Sequence, residues 1–266
     1  MNVLIDGHRG RQIPCDDRGF LYGESVFETI AFGDGEAPLW PLHMARLARG
    51  GAQLRLPLPE TEILARECRQ LLPARGRFVV RITLSAGSGG RGYWPEENTR
   101  PRRVVSYRAW PDQIDQQRRC GLRLRLSTIS LCTAEPLLGL KHGNRLAQVS
   151  AARECQDSGH DEAVLLDSAG QIMEAISSNL VLVLGDRLVT HPRPAVAGVG
   201  LDWLRAEAGM DFLPLALPVG RLSECSEVLV INSVAGVRPV IAIDQHRFPI
   251  GPICRHLQSL WNAQLI

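Results

Sequence analysis

Two features of the sequence bear directly on chemistry. The first is Lys141, the only lysine among 30 basic side chains. Arginine keeps its proton in proteins and is no nucleophile, whereas a desolvated lysine amine sheds its proton, attacks a carbonyl and forms a Schiff base. A chain that uses arginine wherever plain positive charge suffices, yet keeps one lysine, marks Lys141 as a candidate nucleophile; a surface lysine surviving by chance is the alternative. The second feature is LSAGSGGRGYW, residues 84–94, in which Gly87, Gly89 and Gly92 stand in G-x-G-x-x-G register. In dinucleotide-binding folds that fingerprint follows a buried strand and opens a helix whose N-terminus carries the pyrophosphate. RFVVRITLS, residues 77–85, reads as such a strand, but YWPEENTRPRR follows the glycines, with two prolines and no helical period. The turn therefore opens into a loop, which argues against nucleotide binding.

Other chemistries lose their signals. Seven cysteines (Cys15, Cys68, Cys120, Cys132, Cys155, Cys225, Cys254) are scattered singly, which fits reduced, mostly buried thiols rather than a disulfide frame or a zinc site. Seven histidines show no metal-binding spacing, and no G-x-S-x-G elbow occurs. With a net charge of +2 and interspersed signs, nucleic-acid and membrane-surface roles gain no electrostatic support. The opening apolar run is too short for a signal peptide, and no segment reaches the roughly 18 apolar residues of a membrane helix, so a cytoplasmic protein is expected.

The elements that must position these residues read as α+β in two domains. In the first, VFETIAF (26–32) reads as a strand, followed by a turn through GDGEA. HMARLARGGAQL spaces Met44, Leu47, Gly51 and Leu54 on one helical face, and TEILARECRQLL does the same with Leu64, Cys68, Leu71 and Leu72. Strands at 77–85 and 102–110 complete a domain over residues 1–110, and the polar, aperiodic stretch 111–118 reads as the linker. The second domain, 119–266, opens with the alternating strand GLRLRLSTIS. Lys141 lies just before a helix carrying Leu146, Val149 and Arg153 on successive turns. Strands follow at EAVLLD and through IMEAISSNLVLVLGDRLVTH, with Gly185-Asp186 as a hairpin turn. A helix LDWLRAEAG, strands EVLVINS and VRPVIAID, and a last helix close the chain.

Four strings, in this order, resemble a known family: LKHGNRLAQV, IMEAISSNLV, AGVGLDWLR and EVLVINSVAGVRPV. They are similar to the fold-type IV pyridoxal-phosphate enzymes, which include branched-chain and D-amino-acid aminotransferases and aminodeoxychorismate lyases. DRGFLYGESVFETI and HMARL look like the same family's opening, so the likeness covers nearly the whole chain. It implies a smaller N-terminal α/β domain, a larger C-terminal β-rich domain with flanking helices, pyridoxal 5′-phosphate as cofactor, a small-molecule substrate and a homodimer.

The resemblance also implies roles. Lys141 would condense with the cofactor aldehyde and, once displaced by substrate, move protons at the reacting carbon. Glu174 would pair with the pyridine nitrogen. Arg46 would pair with the phosphate through its planar fork. Val199 and Gly200, placed just before a helix, would offer backbone N–H groups to the same anion, and Ser233, where the family has a threonine, its hydroxyl. Ser177 and Asn179 would support the cofactor from behind. Two departures stand out: Glu24-Ser25 replaces a common Asp-Gly, and Leu146 stands where aminotransferases often carry tyrosine. GSGGRGY is similar to a lyase segment that faces substrate, where Arg91 would hold a carboxylate and Tyr93 form a wall. These features lean toward conversion of 4-amino-4-deoxychorismate to 4-aminobenzoate and pyruvate, with an aminotransferase and a non-catalytic ligand-binding protein as rivals.

Overall fold

The computed structural model describes residues 2–96, 99–131 and 135–265. Cys132, and Glu97 and Asn98 in the segment after the glycines, lie outside the described residues. The chain divides into two compact units: Met1–Trp110 with Leu140–Asn144, and Pro111–Gly139 with Arg145–Ile266.

The first unit contains β1 (Val3–Ile5), β2 (His8–Arg9), α1 (Arg18–Tyr22), β3 (Ser25–Gly33), α2 (Trp40–Gln53), α3 (Thr61–Leu71), β4 (Arg77–Ser85) and β5 (Arg102–Ala109). Its antiparallel sheet runs β2-β1-β5-β4-β3. Val26, Ile30 and Phe32 of β3 join Met44 and Leu47 of α2 and Leu64, Cys68 and Leu71 of α3 in one buried cluster. The helical faces expected from spacing are thus the faces that pack, because only a 3.6-residue period stacks those side chains on one stripe. α1 escaped the sequence reading because five residues are too few to show a period. Its start is set by Asp17, whose carboxylate accepts the Gly19 N–H at 2.8 Å.

β3 ends this sheet, so its outer edge is open to another strand. Residues 141–143 occupy it. The Phe27 N–H donates to the Lys141 carbonyl at 2.9 Å, the Gly143 N–H donates to the Ser25 carbonyl at 2.8 Å, and Val26 bridges His142 in antiparallel sense. Sequence order placed Lys141 in the second domain, but these hydrogen bonds assign it to the first unit.

The second unit contains α4 (Ile114–Cys120), β6 (Leu122–Leu131), α5 (Leu146–Ser158), β7 (Glu162–Asp167), β8 (Gln171–Ala175), β9 (Asn179–Leu184), β10 (Arg187–Thr190), α6 (Val199–Glu207), β11 (Phe212–Pro214), β12 (Leu217–Pro218), β13 (Glu227–Asn232), β14 (Gly236–Ile243), β15 (His246–Arg247) and α7 (Pro252–Leu265). The strands form one mixed sheet in the order β11-β10-β9-β13-β14-β6-β7-β8-β12, with β15 added on β14. Its core is built from near-continuous apolar runs, including Val228 and Val230 of β13 and Leu180 and Leu182 of β9. Of the stretch 111–118 read as linker, residues 114–118 instead lie in α4, which runs on to Cys120. Ile114 is buried there, and the Arg118 guanidinium donates to the Ala235 carbonyl at 2.7 Å, so tertiary contacts supply what the sequence period lacks. α6 starts two residues before the expected helix, which places Val199 and Gly200 in its first turn rather than ahead of it.

Burial pushes the thiols of Cys68 and Cys254 up to about 12 and that of Cys225 to about 11, so these cysteines act as packing side chains rather than nucleophiles. No helix among the described residues is long and apolar enough to cross a membrane.

A buried acid on β13 starts α7. Glu227 accepts the Ile253 N–H at 3.0 Å and the Cys254 N–H at 2.8 Å. These donors have no partner within their own helix. Glu227→Ala is expected to lower stability by about 1.5–3 kcal/mol, the range for hydrogen bonds to a charged group, with Gln retaining part of it. Urea unfolding of the three proteins measures this, and coincident curves for wild type and Ala would refute the capping role.

Candidate active site

In the first unit, alternation along β3 turns Glu28 to the same face as Val26 and Ile30, toward α2. Glu28 is fully buried, and it is held there by two residues one helical turn apart. Arg46 donates from Nε to Glu28 Oε1 at 2.8 Å and from Nη2 to Oε2 at 2.5 Å, and His43 Nδ1 lies 2.6 Å from Oε2. Two parallel bonds fix the plane of the Arg46 guanidinium as well as its position. Burial alone would raise the Glu28 pKa, but the Arg46 and His43 hydrogen bonds outweigh it and leave it below the usual 4.5. His43 is pushed below 6.5, chiefly by burial; the bond to Glu28 opposes this, while Arg46 and Lys141 add to it. Its Nδ1 faces the carboxylate, and its buried Nε2 has no hydrogen-bond partner among the described residues. Lys141 is half-buried and its Nζ lies 4.6 Å from the centroid of the Phe27 ring, on the strand whose edge its own backbone extends.

The glycine segment is a loop, as expected. Positive φ values at Gly87 (76°) and Gly90 (89°) exclude most side chains, and a Cβ at either would also strike a backbone carbonyl, that of Arg100 or of Trp94. Arg91 and Trp94 close the tip through paired backbone hydrogen bonds of 3.0 and 3.2 Å. Arg91 is exposed, and Tyr93 is 79% exposed with its ring centroid 5.3 Å from that of Tyr22.

In the second unit, Glu174 and Asn179 are opposed across β8 and β9. Together they hold residue 196 from both sides. Glu174 Oε2 accepts the Val196 N–H at 3.1 Å, and Asn179 Nδ2 donates to the Val196 carbonyl at 3.0 Å. That segment leads directly into α6, whose N-cap, Gly198, gives no side-chain cap to the first-turn N–H groups. A Cβ at Gly198 would collide with the Asn179 amide, and one at Gly200 would lie 3.0 Å from the Asn232 carbonyl carbon and 3.2 Å from the Ser233 nitrogen. The helix N-terminus and the 232–233 turn approach this closely only because side chains are absent. Ser177 is drawn away: both its N–H and its hydroxyl donate to Glu162 Oε1 at 2.7 Å.

Residues 25–243 match the family described as Amino-transferase class IV. The chain belongs to this family. Among curated relatives it is 28% identical to the aminodeoxychorismate lyase of Vibrio harveyi, over 97% of this chain and 99% of that one. It is 23% identical to the D-alanine aminotransferase of Bacillus licheniformis, over 100% and 98%. Among solved structures, the 4-amino-4-deoxychorismate lyase of Pseudomonas aeruginosa superposes with a TM-score of 0.91 at 36% identity, covering 99% of both chains. This class IV aminotransferase-family chain is a pyridoxal-phosphate-dependent enzyme acting on a small molecule. The residues present have the chemistry such a cofactor calls for: a lone lysine amine in the first unit and, in the second, an uncapped helix N-terminus beside a glycine-permitted turn and a buried carboxylate, Glu174.

Glu28, His43 and Asn232 were missed in the sequence, although two had a signal. A glutamate inside VFETIAF stands on the apolar face of its strand, and His43 precedes Arg46 by three residues on a buried helix stripe. Asn232 accepts the Val234 and Ala235 N–H groups at 3.0 and 2.7 Å and so shapes the Ser233 turn, which no spacing announces.

The Glu28 and His43 shifts carry a sign for stability against pH. Both folded-state values lie below the unfolded ones, so the unfolded chain binds the extra protons and stability falls with falling pH. The His43 contribution is complete above 6.5 and is lost as pH drops from there through its folded value; the Glu28 contribution is lost below 4.5. The unfolding midpoint of the cofactor-free protein is expected to be level from pH 8 to 7 and to decline below 6.5. In His43→Gln the decline that sets in below 6.5 should be shallower, and an identical profile in that variant would contradict the assignment.

Proposed function

We propose that the protein is a lyase that converts 4-amino-4-deoxychorismate into 4-aminobenzoate and pyruvate, working in the cytoplasm as a homodimer. The observation that carries this reading is the match to the Pseudomonas aeruginosa lyase, 36% identical across 99% of both chains. The exposed Arg91 on a loop rather than a helix supports it, since a substrate with two carboxylates calls for a guanidinium fork.

Pyridoxal phosphate, when bound, supplies an electron sink conjugated to the carbon that carries the substrate amine. The chain's residues supply the rest. Arg46, with its plane fixed by Glu28, would offer its fork to the phosphate, and in the second unit the Val199 and Gly200 N–H groups and the Ser233 hydroxyl would be the donors for it. Glu174 would hold a proton on the ring nitrogen, with Asn179 bracing Val196 and Ser177 bonded to Glu162. Lys141 Nζ takes the proton from the amine-bearing carbon. The bond from the ring carbon to the enolpyruvyl oxygen then breaks with its electron pair going to oxygen, the carbocycle becomes aromatic, and the departing enolate takes up the proton that Lys141 removed to become pyruvate. Phe27 stands beside Nζ and limits where the amine can swing.

Purified protein is expected to show visible cofactor absorption that borohydride fixes covalently to Lys141; Lys141→Ala should lose both the fixation and the turnover. Coupled assay of pyruvate from 4-amino-4-deoxychorismate, run beside amino transfer to 2-oxoglutarate, decides the reaction. Transfer without pyruvate release would overturn the lyase reading in favour of the aminotransferase one.

Arg46→Met should weaken cofactor binding by about 10- to 100-fold, the equivalent of one charge-assisted contact, measured by titrating apoenzyme absorbance. Light scattering at micromolar concentration tests the dimer.

A further inference from the structure

Arg18 takes no part in the chemistry above, yet it is among the most tightly bound side chains of the first unit. It is 3% exposed, and all three of its guanidinium nitrogens are engaged. Nη1 donates to the Gly92 carbonyl at 2.9 Å and to the Gly89 carbonyl at 3.4 Å, Nη2 donates to the Tyr93 carbonyl at 3.2 Å, and Nε pairs with Glu24 Oε2 at 2.6 Å. Its backbone N–H adds a bond to the Gly87 carbonyl at 2.8 Å. The guanidinium also lies 5.0 Å from the centroid of Tyr22, whose ring in turn meets Tyr93.

A loop with positive φ at Gly87, Gly89, Gly90 and Gly92 has little stiffness of its own. Glycine loses more conformational freedom on ordering than any other residue. Four carbonyls of this segment are tied to one residue, while the side chains of Arg91 and Tyr93 remain exposed. The planar fork matters here, because an ammonium is a compact charge that cannot span three carbonyls and a carboxylate at these separations.

We propose that Arg18 is a positioning residue: it holds the 87–93 loop in one shape and thereby presents Arg91 and Tyr93 to the substrate's carboxylate. The proposal rests on the reading of this loop as the substrate-facing one. It assigns substrate affinity, rather than the chemical step, to a residue that does not touch the substrate. Ordering the loop in advance removes a cost that binding would otherwise carry.

The test uses holoenzyme of wild type, Arg18→Lys and Arg91→Ala, with trypsin cleavage after Arg91, followed by mass, as a readout independent of activity. In Arg18→Lys, cleavage is expected to quicken and KM for 4-amino-4-deoxychorismate to rise, each by about tenfold, with kcat within about twofold and the cofactor absorption retained. Unchanged cleavage overturns the clamp, whatever the reaction. Faster cleavage with unchanged KM also overturns the proposal, and Arg91→Ala shows where it failed. If that variant raises KM, the loop faces substrate and only the role of Arg18 is wrong; if it does not, the reading of the loop itself falls. Should Arg18→Lys fail to fold, Glu24→Ala releases Nε alone and is expected to move cleavage and KM in the same direction by about threefold. No movement in either quantity overturns the proposal.

Discussion

The backbone pairing between the outer edge of β3 and residues 141–143 is the interaction on which the candidate chemistry depends. A reactive lysine on a free loop would sample many positions. Here its carbonyl accepts from Phe27 and its neighbour Gly143 donates to Ser25, so Lys141 is held as rigidly as a strand residue. The same strand turns Glu28 to its opposite, helix-facing side, where that carboxylate fixes Arg46. One strand therefore sets the positions of both Lys141 and the Arg46 guanidinium.

The second unit solves a different problem, the close approach of a helix N-terminus to a neighbouring turn. Side chains are removed at Gly198 and Gly200, the N-cap gives no internal partner to the first turn of α6, and Asn232 bends the neighbouring turn. Glu174 and Asn179 then lock the segment entering the helix. Polar groups that look like a list in the sequence are thus parts of one arrangement that fixes residues 196–200.

Periodicity made much of the framework legible. β4 spans the residues that alternation in RFVVRITLS indicated, and the apolar stripes of α2 and α3 are the ones that pack. Local pattern failed where long-range contacts decide. α4 has no usable period and is held by Ile114 and Arg118, while the membership of Lys141 in the first unit depends on a partner strand more than 110 residues earlier. The site residues were found through motif order rather than geometry, so those that only support others stayed hidden. Glu28, His43, Arg18 and Asn232 act through neighbours, and a side chain whose role is to hold another carries no spacing rule of its own.

The composition of the first unit, residues 1–110 completed by 140–144, has a consequence for how the chain folds as it is made. When residue 110 has been synthesised, all five strands of the first sheet exist, but β3 still presents an open row of backbone donors and acceptors. Some 30 further residues must emerge before the segment that covers this edge is available. During that interval the nascent chain carries an exposed strand edge, the feature most prone to pairing with another molecule. A fragment cut at the apparent domain boundary would keep that edge permanently, so the division that looks natural along the sequence is the wrong place to separate this protein into parts.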